Sequence, residues 1–280
     1  AVARLGGGPE ARREAGWIVE EVTGERWLGC SPGTGRASPR ASARFEDLVG
    51  RRAGGEPLQY VLGRWPFRAL DLMVDRRVLV PRPETEQVVE VALRELDEVR
   101  DATAPPHVVV DLGTGSGAVA LSVAAERAGV QVWGTDVSAD ALDVARSNLC
   151  GLGGFAATRV RLVQGEWWAA LPAHLAGAVD IVACNPPYVS SGEMGDLDAG
   201  VAGWEPRTAL EAGPTGLESI GEVLNGAPAW LRPGGRAVLE IAPHQAAAAA
   251  GLAREAGFAE TQMCPDLAGR DRVLVSRGSS

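Results

Sequence analysis

Four clusters in the chain carry residue types and spacings that could do chemistry. Asp111-Leu112-Gly113-Thr114-Gly115-Ser116-Gly117 leaves a short apolar run and enters a segment of helical periodicity. Glycines let a backbone pass close to a ligand, and a helix start offers free N–H groups. Asp136 ends a second apolar run, 19 residues after Gly117, where an acid can accept both hydroxyls of a ribose. Glu166-Trp167 follows a third run; an acid beside an aromatic ring can hydrogen-bond and stack on a planar base. Asn185-Pro186-Pro187-Tyr188 follows a fourth. Its two prolines stiffen the backbone and remove donors. What remains is an acceptor pair, the Asn185 side-chain oxygen and the Pro186 carbonyl. Such a pair can hold the two hydrogens of a planar –NH₂ group, with Tyr188 packed on it.

Two cofactors compete for the glycine loop. Gly113-x-Gly115-x-x-Ala118 satisfies one form of the dinucleotide fingerprint. Asp111 would face a pyrophosphate badly but suits an ammonium-bearing methionine moiety. That acid and the three alternate glycines favour S-adenosylmethionine. The target nitrogen would then be aimed at a methyl sulfonium for in-line displacement. Catalysis of that kind is positioning and hydrogen bonding, and needs no strong base. Plainer readings exist for three of the clusters: a tight ligand-free turn, a core Trp167-Trp168 pair, a proline-rich turn around a buried Tyr. The last explains the prolines but not their place on the same strand-end edge as the glycine loop.

Composition removes other chemistries. All 27 basic residues are Arg, so a P-loop lysine, a Schiff base and a lysine general base are excluded. His107, His174 and His244 are far apart, and Cys30, Cys150, Cys184 and Cys264 form no C-x-x-C pair, so no metal site is expected. Unpaired cysteines and the lack of a membrane-length apolar run or a signal-peptide core point to a cytoplasmic chain. The start at Ala1 rather than Met reads as processing or trimming, and Gly278-Ser279-Ser280 as a tail. Residues 1–82 carry a net +4 and residues 83–280 a net −13 within the total of −9. A basic front third fits an anionic or RNA-associated partner or ordinary surface variation. The acidic body argues against direct nucleic-acid binding along it.

The elements that must hold these clusters follow from periodicity. Ala15, Ile18, Val19 and Val22 mark a helix ending at Thr23-Gly24. Residues 31–42 read as a loop, and a second helix is expected at 42–53. Tyr60-Val61-Leu62 and Leu70–Val74 read as short strands of a hairpin connector. Val88, Val89, Ala92, Leu93 and Leu96 form the apolar face of a helix entered through Pro81 and Pro83, with acids in its first turn. From residue 107, strands at 107–112, 130–135, 159–163, 179–183, 235–241, 259–264 and 271–276 are expected. Helices at about 117–128, 138–149, 215–230 and 245–256 alternate with them. This is an α/β chain with a mostly parallel sheet and helices on both faces. The divisions are a helical module at 1–55, a β-hairpin connector at 56–80 and a sheet domain at 81–280.

Together Asp111–Gly117, Asp136, Glu166-Trp167 and Asn185–Tyr188 resemble a class I methyltransferase, with its Rossmann-like sheet, acting on a planar nitrogen. The flanks Gly55–Gly63, Leu79–Glu86, Glu205–Leu210 and Asp266–Arg272 resemble the HemK/PrmC family, from about residue 10 to 276. That family methylates the side-chain amide nitrogen of the glutamine in the Gly-Gly-Gln loop of class 1 peptide-chain release factors. The resemblance implies that Gly113–Gly117, Asp136 and Trp167 bind S-adenosylmethionine, which leaves as S-adenosylhomocysteine. Asp111, Glu166 and Asn185 join them at the cofactor. It implies that Asn185, Pro186, Pro187 and Tyr188 hold the glutamine, and that the N-terminal module docks the release factor. Two departures stand out: Glu166 replaces the Asp of many relatives, and the N-terminal module is short at its start. Other substrates of the same chemistry are a ribosomal-protein glutamine, adenine N6 or guanine N2.

Overall fold

A computed structural model of the chain describes residues 1–25, 37–102 and 106–279. Cys30 and the first half of the expected loop at 31–42 lie outside the described residues. Helix α1 (Gly8–Thr23) ends at a left-handed Gly24, as its sequence predicts. Helix α2 (Pro39–Ala53) begins three residues earlier than the start expected at residue 42. The reason is local: the Ser38 hydroxyl accepts the Ala41 N–H at 3.1 Å, and Pro39 occupies the first turn where its missing N–H costs nothing. Arg52 clamps α2 to α1 through both oxygens of Glu14, at 2.9 and 2.8 Å.

The expected strand at Tyr60-Val61-Leu62 is instead part of a short helix, α3 (Leu58–Leu62). Leu58 and Val61, one turn apart, pack with Ile18, Leu48 and Val49 of the helical module. Tyr60 turns the other way, into a core with Val74, Val78 and Val80. Burial on two sides at helical spacing overrides the strand preference of Tyr and Val, and Gly63 at φ 75° ends the turn. The hairpin follows, Arg64–Phe67 against Leu70–Met73. Its corner residue Arg68 sits at φ 51°, held by its own N–H to Glu86 at 2.9 Å and by its guanidinium on Glu126 and Glu90.

Helix α4 (Pro83–Ala102) leads to the sheet. Its strands are β1 (His107–Leu112), β2 (Val130–Asp136), β3 (Val160–Gln164), β4 (Val179–Cys184), β5 (Leu231–Glu240), β6 (Glu260–Pro265) and β7 (Asp271–Arg277). They lie in the order β6-β7-β5-β4-β1-β2-β3. Only β7 runs against the others, inserted between β5 and β6. Helices α5 (Ala118–Glu126) and α6 (Ala139–Leu152) follow β1 and β2. Helices α7 (Glu218–Trp230) and α8 (Ala246–Glu255) flank β5. Strands β1 and β4 are buried along their whole length, as central parallel strands covered on both faces must be. Val109 of β1 joins the core under α4 and α5, while Val108, Val110 and Leu112 join the core under α7 and α8. The strand order reverses at β1, so the crevice for a ligand opens beyond the carboxyl ends of β1, β2 and β4. Among the described residues no helix is long and apolar enough to cross a membrane.

Candidate active site

A cavity of about 300 Å³ opens at that edge. Asp111, Gly113, Thr114, Gly115, Ser116, Asp136, Glu166, Trp167, Asn185 and Pro187 all line it. The four clusters expected from sequence therefore meet in one place. Gly117, Pro186 and Tyr188 are not in the lining. Gly117 caps α5 behind the loop. Pro186 is buried. Tyr188 packs on the core beneath and turns its hydroxyl toward Glu240, 3.4 Å away.

The loop owes its shape to two carboxylates. Asp111 is buried, and its Oδ2 accepts the Thr114 hydroxyl at 2.6 Å and the Ala120 N–H at 3.0 Å. Burial raises this carboxyl to about 6, against the pull of those two donors. Asp136 accepts the Gly115 N–H at 2.8 Å through Oδ2 and the Ser138 N–H at 2.9 Å through Oδ1. Each oxygen keeps a lone pair for a ligand hydroxyl. Burial raises the Asp136 pKa as well, with the two N–H groups opposing it. Gly113 and Gly115 stand at φ 72° and 55°, where a side chain is strained. Asn148 locks the loop from behind: its Nδ2 donates to Ser116 O at 2.8 Å and Met73 O at 3.0 Å, and its Oδ1 accepts the Met73 N–H at 2.7 Å.

This lining discriminates between the two cofactors. A pyrophosphate needs the free N–H groups of a helix N-terminus. Here the Ala120 N–H is already spent on Asp111. Asp111, Asp136, Glu166, Glu211 and Glu222 all line the cavity, and its one basic side chain among the described residues, Arg77, is forked onto Asp75 at 2.9 and 2.6 Å. A site lined by five acids suits a cation bearing an ammonium and a ribose, and repels a diphosphate.

Trp167 and Trp168 part company. Trp167 stands at φ 40°, an uncommon conformation for a bulky residue, and presents itself to the cavity. Trp168 is core: its Nε1–H donates to Val223 O at 3.1 Å, and its ring stacks on Trp230 at 6.1 Å. A Cβ on Gly226 would stand 2.2 Å from the Trp168 ring, which those contacts prevent from yielding. Gly226→Ala is therefore expected to destabilise the fold by about 1–3 kcal/mol. A lower thermal midpoint with S-adenosylmethionine binding retained checks it.

Asn185 directly follows β4 at the cavity. Its Nδ2 donates to Thr85 Oγ1 at 3.0 Å, and Thr85 Oγ1 donates to Glu240 Oε2 at 2.7 Å. No described residue donates to Asn185 Oδ1, which is left as an acceptor. Sequence reasoning missed Thr85 and Glu240. The signal for Glu240 was an acid closing the apolar run Ala237-Val238-Leu239; Thr85 lay unremarked inside the Leu79–Glu86 segment. The segment Glu205–Leu210, singled out by resemblance but given no role at the site, also reaches the cavity: Pro206, Thr208 and Ala209 line it, with Glu211 beside them. Arg82 anchors that segment through the buried Glu205 at 2.5 Å.

Comparison with known proteins gives the lineage. A family model described as PrmC N-terminal domain matches residues 1–63, and one described as Methyltransferase small domain matches residues 91–199. A release factor glutamine methyltransferase of Cereibacter sphaeroides is 42% identical over 239 residues, covering 85% of this chain and 81% of that protein. That of Bordetella pertussis is 40% identical over 264 residues, covering 94% of this chain and 93% of its own. The chain belongs to the release factor glutamine methyltransferase family. A crystal structure of a methyltransferase from Pyrococcus furiosus matches at a TM-score of 0.52 over 85% of this chain and 100% of that one, at 17% identity. That likeness is one of fold. The two family models fall in the order of the structure, the first over α1, α2 and α3 and the second over the sheet from β1 to β4.

Proposed function

We propose that this methyltransferase transfers a methyl group from S-adenosylmethionine to the side-chain amide nitrogen of the glutamine in the Gly-Gly-Gln loop of class 1 release factors. The observation that carries it is the Asn185 carboxamide, which stands at the edge of an acidic cavity with its nitrogen spent on Thr85 and its oxygen free. S-adenosylmethionine, when bound, supplies an electrophilic methyl on a sulfonium and leaves as S-adenosylhomocysteine. Asp136 holds the ribose hydroxyls. Trp167 and Glu166 flank the adenine. Asp111 shapes the loop and balances the cofactor's positive charge.

At the other end, Asn185 Oδ1 and the Pro186 carbonyl accept the two hydrogens of the glutamine –NH₂. Pro187 fixes the turn, and Tyr188 supports it from below. Holding the amide by its hydrogens keeps its plane set and points the nitrogen at the methyl carbon. The amide sheds one proton to solvent once the C–N bond has formed. The helical module, with its basic surplus, docks the release factor. Catalysis belongs to the cytoplasm, where release factors work.

Mass spectrometry after incubation with S-adenosylmethionine and a release factor tests this. One added methyl on the Gly-Gly-Gln glutamine is expected. Transfer to a ribosomal protein, RNA or DNA in its place would overturn the substrate assignment and leave the chemistry standing.

A further inference from the structure

Glu240 is a carboxylate that no step above uses, yet it is 1% exposed at the end of β5, where burying a charge is costly. An ionised carboxylate accepts hydrogen bonds and donates none. Its Oε2 lies 2.7 Å from Thr85 Oγ1, so that hydroxyl spends its hydrogen there. Thr85 Oγ1 then has only lone pairs to offer Asn185, and Nδ2 is the end that meets it, at 3.0 Å. The other oxygen of Glu240 takes the Tyr188 hydroxyl at 3.4 Å.

The direction of this chain matters because a carboxamide has two ends of almost equal shape. Turned over, Asn185 would offer N–H to the cavity, and two N–H groups would face each other where a substrate amide has to sit. We infer that Glu240 is a positioning residue: through Thr85 it dictates which end of the Asn185 carboxamide faces the cavity, and so keeps Oδ1 there to receive the substrate's amide hydrogen. The identity of the substrate rests on the function proposed above. The orientation is a property of the free protein.

The charge of Glu240 is the control on this relay. Burial, with a smaller push from Glu84 the same way, brings its carboxyl up to about 7. Thr85, Tyr188 and the Arg272 cation on the neighbouring β7 pull it down. Cys184, at the end of β4, is a buried thiol that Glu240 itself helps keep neutral. Above its pKa the carboxylate fixes the relay. As pH falls through that value, a protonated Glu240 can donate to Thr85, whose hydroxyl is then released to donate to Asn185 Oδ1. The carboxamide is free to turn, and transfer is lost on the acidic side.

The test is single-turnover transfer to a release factor at saturating cofactor, across the neutral range. The wild type is expected to show an acidic limb centred near 7. Glu240→Gln is expected to lower the transfer rate about 10- to 100-fold, to leave the cofactor dissociation constant within a few-fold, and to abolish that limb. Thr85→Ser, which keeps the hydroxyl, is expected to hold the rate, and Thr85→Val to lose it. The double variant Thr85→Val/Glu240→Gln should fall no further than the worse single one. If Glu240→Gln does not fold, the Thr85 pair carries the same comparison. In the free wild-type protein, the Asn185 side-chain amide signals in a ¹⁵N NMR spectrum should titrate with Glu240. Full activity in Glu240→Gln, or Asn185 signals indifferent to pH in the wild type, would overturn the inference. A wild type that leaves release factors unmodified overturns the substrate reading instead, and the NMR titration then still decides the relay.

Discussion

Asn185→Ala is expected to lower the rate of methyl transfer about 100- to 1,000-fold at saturating cofactor, with the cofactor dissociation constant changed by no more than a few-fold. The reasoning starts from weak intrinsic reactivity. An amide nitrogen is a poor nucleophile, and displacement at a methyl sulfonium needs no strong base to activate it. What the protein can do is fix its plane and distance from the methyl carbon. Truncating Asn185 removes the side-chain acceptor for that purpose and leaves Thr85 Oγ1 without its donor. Both losses fall at the substrate end of the cavity. The glycine loop, Asp136 and Trp167 are untouched. Asn185→Asp is expected to do no better, because a second carboxylate would stand beside Thr85, whose hydrogen is already given to Glu240. Single-turnover transfer to a release factor and a calorimetric cofactor titration check the pair of expectations. Parallel loss of cofactor binding would move the work of Asn185 to the cofactor.

The two ends of this site were unequally legible in the sequence. The glycine loop, Asp136 and the Asn185–Tyr188 turn could be read because each is local. Strand periodicity puts each at a strand end, and parallel strands in a doubly wound sheet bring those ends to one edge. Asp111 was readable as an acid at the loop but not as the loop's own anion; that takes the Ala120 N–H folding back onto it, nine residues on. Trp167 and Trp168 were indistinguishable by type, and only the positive φ at one and the stack on Trp230 at the other separate them. Tyr60–Leu62 was misread because strand propensity was weighed without the two cores that pull at alternate sides of one helical turn. Thr85 and Glu240 were beyond reach for a different reason. They stand 100 residues before and 55 after Asn185, on α4 and β5, and meet it only once the sheet closes. Local pattern names the groups that touch ligands, while the groups that aim them come from tertiary packing.

The same division predicts a second large effect, at the opposite end of the cavity. Asp136→Ala is expected to weaken cofactor binding about 100-fold while the transfer rate at saturating cofactor stays within a few-fold. A hydrogen bond to a charged acceptor contributes about 1.5–3 kcal/mol. Two ribose hydroxyls on one carboxylate, at the low end of that range, therefore account for roughly two decades, at about 1.4 kcal/mol per decade. Structural loss adds to this, because Asp136 also takes the Gly115 and Ser138 N–H groups that set the loop and start α6. Asp136→Asn separates the two contributions. Its carboxamide oxygen can still serve one N–H, but its –NH₂ meets the other as donor against donor. An affinity between those of wild type and Asp136→Ala is expected. The pH sign follows from burial, which raises the Asp136 pKa. The carboxylate is lost earlier on acidification than an exposed one would be, so wild-type affinity for the cofactor should decline as pH falls, and that decline should be smaller in Asp136→Ala, where Asp111 is left to titrate. Calorimetric titration at several pH values measures this directly. A variant whose affinity is unchanged while its transfer rate collapses would reverse the roles assigned to the two ends of the site.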